Sequence, residues 1–362
     1  MDWLTTRLPA GISWLIVSSR IGISGARLVS VRKTVLGYAL ELRLNAPTTI
    51  DSVSSFCDQI AVAYGAARVR VSPNEAIANR VTLFIDFQRG IGTAPYVPEP
   101  NPVGIPLNPL RAIPLGLNDE GDVVAVRLFG KHVLVGGNPG SGKSVALRVF
   151  LAGLAASRDV SIVGIDPKHT ELVMWKSRLS NLIVGNGVDD VVALLEEMLG
   201  EIQKRAKHLA ATGSATLFPT SEFPWIVLVI DEWAELAAQG DVKQRNSVST
   251  LLRRYLSLGR AVGCTAILCT QRPTSDTVDT GTRALTSFRF ALKCGDRYQA
   301  EAILGIGAFS PEQLIGASPG RALWSDGGIA SAVQFYNVTD DQIPALTHSP
   351  FRISFGPGAE SL

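Results

Sequence analysis

The residues with the clearest capacity for chemistry lie between Gly137 and Ser144, where Gly-Asn-Pro-Gly-Ser-Gly-Lys-Ser fits the spacing G-x-x-x-x-G-K-S. A triphosphate needs this arrangement for physical reasons. Glycines let backbone N–H groups turn inward onto phosphates, and a helix beginning at the end of the loop presents its positive N-terminal end to the anion. Lys143 is placed to reach the β- and γ-phosphates, and the Ser144 hydroxyl to hold Mg²⁺. ATP and Mg²⁺ are the expected ligands. The predicted contacts run through Gly137, Asn138, Pro139, Gly140, Ser141, Gly142, Lys143, Ser144 and Val145. A chance glycine-rich turn would lack the required context of a strand before the loop and a helix after it. Both are present: His132 to Val135 is β-prone, and Leu147, Phe150, Leu151 and Leu154 share a helical face.

Three further clusters close strand-like runs. Trp225 to Ile230 is unbroken apolar sequence ending in Asp231-Glu232. An aspartate leaving a buried strand beside a phosphate loop can hold Mg²⁺, usually through its water, and Glu232 is placed to orient or deprotonate the attacking water. Alone, the pair would equally suit an acidic turn after a core strand; the phosphate loop decides for the functional reading. Between loop and acidic pair in the chain, a strand ends in Asp166-Pro167-Lys168. An inserted strand of this kind, with a glutamate after the magnesium aspartate, points to the hydrolytic, motor-type branch of the P-loop proteins rather than to a small kinase. Last, Thr265 to Cys269 ends in Thr270-Gln271-Arg272-Pro273, which would project the Gln271 amide toward a γ-phosphate. All four clusters fall at the carboxyl ends of predicted strands, where ligands of doubly wound sheets collect.

The elements that must position these groups alternate between strand and helix, as in an α/β domain with a parallel sheet. Predicted strands are Val123–Val126, His132–Val135, Val160–Ile165, Leu182–Val184, Trp225–Ile230, Thr265–Cys269 and Phe288–Leu292. A helix from about Asp190 to Ala210 carries Val191, Leu194, Leu195, Met198, Ile202 and Leu209 on one stripe. This domain is assigned residues 110–349, followed by a short tail, 350–362. Before it, the alternation Tyr38, Leu40, Leu42, Leu44 predicts a half-buried strand. Asp51 is expected to cap a helix whose Val53, Phe56, Ile60 and Tyr64 share a face, closed by Gly65. Arg68–Val71 and Val81–Ile85 read as two more strands, giving a small α+β domain at 31–90. Residues 1–30 carry little pattern and read as an arm or a short helix that docks on something. Six prolines between Gly92 and Pro109 exclude helix and central strand, so 91–109 reads as an extended linker.

Composition sets outer bounds. The 362 residues allow about two domains, and 46% hydrophobic against 18% charged residues is globular rather than disordered. A net charge of +2 says nothing for or against a polyanionic partner, so any DNA-facing charge must be local. Cys57, Cys264, Cys269 and Cys294 form no C-x-x-C pair and read as buried thiols in a reducing cytoplasm. No apolar run approaches the ~18 residues of a membrane span, and no signal peptide is evident, so a cytoplasmic protein without membrane insertion is expected.

Together the runs Ile165-Asp-Pro-Lys-His-Thr-Glu-Leu172, Phe223-Pro-Trp-Ile-Val-Leu-Val-Ile-Asp-Glu-Trp-Ala-Glu-Leu236, Leu258-Gly-Arg-Ala-Val-Gly263 and Thr270-Gln-Arg-Pro-Thr274 resemble the FtsK/SpoIIIE family over roughly 110–325. The 31–90 module more faintly resembles the small domain that precedes the motor in those proteins. The resemblance implies a RecA-like core, ATP hydrolysis at subunit interfaces of a hexameric ring, and translocation of double-stranded DNA through its pore. Arg289, in Thr286-Ser-Phe-Arg-Phe290, matches the arginine that a neighbouring subunit inserts, a contribution worth about 10³–10⁵ in rate. Arg260 is the rival for that role. Arg283 matches a basic residue on a pore-facing loop, so it is assigned to DNA phosphate, against the alternative of a solvated surface. Arg254, like Arg253, fits DNA contact or a solvated helix face equally well. Family members that segregate chromosomes carry membrane spans, a long linker and a C-terminal winged-helix domain, none of which is read here. Direction or loading would then come from a separate partner, as in a compact member of mobile-element or conjugative-plasmid type. Two other readings stay open: a motor for type VII-like protein secretion, and a nucleotide-gated DNA-loading scaffold.

Overall fold

The computed structural model describes residues 13–74, 76–87, 94–95, 112–155, 157, 159–185, 187–274, 277–306, 314, 317–328 and 330–347. The chain divides into two compact units, residues 1–92 with 117–122, and residues 93–116 with 123–362. The expected linker 91–109 lies outside the described residues apart from 94–95, as does the expected tail 350–362.

In the first unit, helix α1 (Trp14–Ile21) leads into strands β1 (Ala26–Lys33) and β2 (Gly37–Leu44). Helices α2 (Ile50–Ser54) and α3 (Cys57–Tyr64) follow, then β3 (Arg68–Pro73) and β4 (Arg80–Asp86). The strands form an antiparallel sheet in the order β1-β2-β4-β3. Leu40, Leu42 and Leu44 of β2 face Trp14, Val17, Val53, Ile60 and Tyr64 of the helices, as the period-two pattern requires. Of the two alternatives for the first thirty residues, 13–30 hold the short docked helix rather than a free arm: α1 buries Trp14 and Val17, and β1 pairs with β2 along its length. One expectation needs correction. The helix expected from Asp51 is two pieces broken after Ser54, and its cap is Thr49, whose hydroxyl and the Ser52 side chain exchange a reciprocal capping pair. Buried Asp86 is held by Arg68 at 2.9 Å and Arg70 at 2.8 Å, and Arg68 also reaches Asp119 at 3.0 Å. A carboxylate this enclosed persists because it is paired.

The second unit is built on one mixed sheet. Its elements in chain order are β5 (Ala94–Pro95), β6 (Ile113–Leu117), β7 (Val123–Val126), β8 (Val133–Gly136), α4 (Lys143–Ala155), β9 (Val160–Asp166) and β10 (Asn181–Val184). Then come α5 (Val188–Thr212), β11 (Trp225–Ile230), α6 (Trp233–Ala238), α7 (Val242–Leu258), β12 (Cys264–Thr270), α8 (Thr280–Leu285) and β13 (Phe288–Ala291). The unit closes with α9 (Arg297–Leu304), β14 (Arg321–Ser325), β15 (Ser331–Asn337) and α10 (Ile343–Thr347). The sheet order is β10-β9-β11-β12-β8-β13-β14-β15-β6-β7, with β5 beside β15. The first six strands run parallel, and β14 and β15 add antiparallel.

Burial on both faces explains the unbroken apolar strands. Ile226, Leu228 and Ile230 of β11 pack with α5, α7 and α9 on one face, while Trp225, Val227 and Val229 pack toward α4 on the other. The predicted stripe of α5 is buried in the first of these cores. The result is the α/β, RecA-like P-loop architecture with its mostly parallel sheet, preceded by a small α+β unit.

Sequence order and sheet order differ at one informative point. The strand expected between phosphate loop and acidic pair, β9, flanks β11 on the far side. The strand inserted in space between β8 and β11 is β12, which comes later in the chain and carries Gln271 at its end.

Candidate nucleotide-binding and catalytic site

Strands β9, β11, β12 and β8 are consecutive neighbours, so their carboxyl ends put Asp166, Asp231-Glu232, Gln271 and the phosphate loop in one row. The loop is tied into the sheet through its own backbone. Gly137 N–H donates to Thr270 O at 3.2 Å, Asn138 N–H to Lys293 O at 2.9 Å, and Ser141 N–H to Asn138 O at 3.0 Å. The amides of Gly140 and of residues 142–145 have no such loop-to-sheet bond among the described residues, and those from Lys143 on open α4, where an anion is favoured.

Gly142 is required by sterics. Its φ is +94°, and a Cβ there would fall 2.0 Å from the backbone nitrogen of Gly320. Gly320 N–H in turn donates to Ser141 O at 2.9 Å, so the turn before β14 braces the loop from below. The Ser141 hydroxyl is buried inside the loop without a hydrogen-bond partner, a polar atom awaiting a ligand.

Lys143 is buried and donates to Asp231 twice, to the carboxylate Oδ1 and to the main-chain oxygen, each at 2.5 Å. Burial opposes its charge, but Cys269, Asp231 and Glu232 outweigh burial and hold the ammonium above its ordinary pKa. Burial pushes the Asp231 carboxyl up, with Lys143 pulling the other way. The buried lysine and aspartate thus neutralise one another.

Glu232 is nearly fully buried. Both of its carboxylate oxygens accept the Gln271 N–H, at 3.0 Å each, and Oε2 also accepts from Lys168 Nζ at 3.4 Å. It occupies the N-cap position of α6 yet makes no capping bond, because its side chain is drawn across to β12. Asp166 shapes the neighbouring turn, accepting from the amides of Thr170 and Leu172 at 3.0 Å each.

The arrangement therefore brings together Lys143, Ser144, Asp231, Glu232 and Gln271. The four arginines singled out from sequence lie elsewhere. Arg289 is on β13, where its backbone pairs with Leu134, and its Nη1 donates to Leu304 O at 3.1 Å while Nε is buried and unpartnered. Burial and then Arg283 lower its pKa from the ordinary value. Arg283 donates to Glu301 O at 3.2 Å, so both arginines meet the negative carboxyl end of α9. Arg260 is exposed before β12, at the opposite end of that strand from Gln271, and donates to Gly130 O at 3.0 Å. Arg254 is exposed on α7, whose neighbouring Arg253 pairs with Asp279 at 3.0 Å.

Two participants escaped sequence reasoning. Lys168 stands in Asp-Pro-Lys directly after a predicted strand end, and a cation at that position is a usable signal. Gly320 gave none, because its partner Gly142 is distant in the chain.

Residues 112–221 match the FtsK/SpoIIIE family. DNA translocase FtsK of Listeria monocytogenes is 25% identical over 305 residues, which are 76% of this chain and 38% of that protein. Protein Tra of Streptomyces lividans is 29% identical over 204 residues, 51% of this chain and 31% of the relative. The chain thus spans well under half the length of these relatives. Among solved structures, the pCW3 conjugation coupling protein TcpA, in its monomer form with ATPγS, superposes with a TM-score of 0.63 at 19% identity, covering 91% of this chain and 96% of that one. The cytoplasmic domain of the Thermomonospora curvata type VII secretion ATPase EccC superposes with a TM-score of 0.56 at 21% identity, covering 75% and 34%. These two likenesses are of fold. Among the described residues, no helix is long and apolar enough to cross a membrane.

Proposed function

We propose that this chain, whose residues 112–221 match the FtsK/SpoIIIE family and whose fold is that of P-loop ATPases, hydrolyses ATP to drive movement along double-stranded DNA as a member of a ring, read as a hexamer. The observation that carries the reading is the row of strand ends, where phosphate loop, Asp231-Glu232 and Gln271 meet on adjacent strands.

The residues present fit MgATP. The loop offers amides, an unpartnered Ser141 hydroxyl and a buried ammonium, all suited to phosphate oxygens. Ser144 and Asp231 supply the hard oxygen ligands that Mg²⁺ takes. The ion, when bound, neutralises charge on the β- and γ-phosphates.

The protein's own groups do the rest. Lys143 exchanges Asp231 for phosphate oxygens and keeps its charge. Glu232, whose position is set through the Gln271 amide, accepts the proton of the attacking water. The Gln271 side chain, leaving the same strand end, reads the presence of the γ-phosphate. Arg289 of an adjacent subunit completes the pocket, and its unpartnered Nε supports a role that is unfulfilled within one subunit. Arg283 and Arg254 contribute contacts to DNA phosphate, which weaken with salt and ignore sequence.

The test is ATP hydrolysis by purified protein with and without linear duplex. Duplex is expected to stimulate the wild type, and Lys143→Ala to lose ATP binding altogether. Stimulation by a secretion-signal peptide but never by duplex, at any salt concentration, would replace DNA movement with protein export.

A further inference from the structure

The catalytic glutamate is restrained. Both Glu232 oxygens are engaged by one backbone amide, and the Lys168 ammonium approaches Oε2 at 3.4 Å from the opposite side. The two partners differ in freedom. Gln271 N–H belongs to the end of a central strand, whereas the Lys168 side chain is 34% exposed against 2% for Glu232. The base of Lys168 is nevertheless fixed. Its amide donates to Asp166 Oδ1 at 3.3 Å, and Asp166 also anchors the amides of Thr170 and Leu172. His169, the next residue, adopts φ +57°, closing the turn tightly. A rigid turn thus carries a lysine tip that can swing.

We infer that Lys168 is a positioning residue that latches Glu232 in a resting pose, is only partly drawn off it by the γ-phosphate of bound ATP, and is freed fully when duplex is engaged. The inference deepens the proposed ATPase and rests on Glu232 being its base. Two anions compete for one ammonium: the Glu232 carboxylate, and the terminal phosphate delivered at the end of the same row of strands. The amide and the ammonium take up most of the roughly four lone-pair sites of the carboxylate and fix its orientation, so hydrolysis waits until the lysine leaves. In the resting site Asp231 is engaged with Lys143 and offers Lys168 no alternative partner.

The prediction separates a latch from a prop. Lys168→Met should raise the kcat of duplex-free ATP hydrolysis by about three- to tenfold, the range of one partly exposed charge-assisted hydrogen bond. KM for ATP should change little, and the ratio of duplex-stimulated to basal rate should fall by the same factor. Lys168→Gln should behave like Lys168→Met, and Lys168→Arg should return the basal rate close to wild type. A wild-type basal rate in both uncharged variants, a proportional loss of basal and stimulated rates, or an arginine variant as fast as the methionine variant would each overturn the latch. Glu232→Gln in the same assay keeps the two readings apart. If that variant hydrolyses ATP at the wild-type rate, the assignment of the base fails; if it is inactive while Lys168→Met matches wild type, only the latch fails.

Discussion

Acid should weaken this fold through one imidazole beneath the phosphate loop. His132, fully buried at the start of β8, has its Nε2 2.8 Å from Leu256 O, and its Nδ1 accepts Ala266 N–H at 2.9 Å. The amide at Nδ1 leaves that nitrogen no room for a proton, so the ring is neutral with hydrogen on Nε2. Burial lowers its pKa from 6.5 to about 4, with Arg260 adding in the same direction and Leu256 opposing. Because the folded value lies below the unfolded one, the unfolded chain binds more protons between them. The contribution is therefore complete above about pH 6.5, shrinks as pH falls, and is gone below about pH 4. The full gap corresponds to about 3 kcal/mol, of which about 2 kcal/mol is lost by about pH 5. Urea unfolding followed by tryptophan fluorescence measures it, since Trp175, Trp225 and Trp233 are all buried in the same unit. His132→Gln offers a donor and an acceptor without titrating. Its stability relative to wild type should improve by about 2 kcal/mol between about pH 7.5 and about pH 5, other titrating groups cancelling in the difference. A gap that stays constant across that range would refute the neutral, buried assignment.

Two further outcomes follow from the site. Gly142→Ala forces a Cβ onto the Gly320 backbone at a positive φ, so it should cost about 1–3 kcal/mol of strain and abolish binding of an ATP analogue; wild-type affinity by titration calorimetry would sink the account of the loop. Arg289→Ala subunits mixed with Glu232→Gln subunits should recover part of the wild-type ATPase if the arginine acts on a neighbour, and no recovery at any ratio counts against that role.

What the sequence made legible was local. The phosphate loop is a contiguous signal, and β11 announces itself because both faces of a central parallel strand are apolar. The insertion of β12 between β8 and β11 could not be read, since strand neighbours are chosen by packing across long separations rather than by chain order. Arg260 became a candidate through its motif, and only the direction of β12 shows that it lies at the far end from Gln271. The antiparallel strands β14 and β15 were missed because they lack clean alternation: Arg321 and Gln334 are buried among apolar neighbours. Thr49 displaced Asp51 as a cap because capping depends on backbone angles that several polar residues in a row can supply. Lys168 needed the pairing of β9 with β11 before its distance to Glu232 existed at all.

Helix α9 joins two places that were described apart. Just before its first turn, Gly295 lies against the Asn138 side chain of the phosphate loop, and Ile303 packs on Gly136. Its last carbonyls hold Arg283 and Arg289. Eight residues make a rod of about 12 Å, too short to absorb a displacement by bending. Helix α9 is thus a stiff link between the phosphate loop and these two arginines, so a displacement at the loop end is carried to Arg283 and Arg289 by leverage alone.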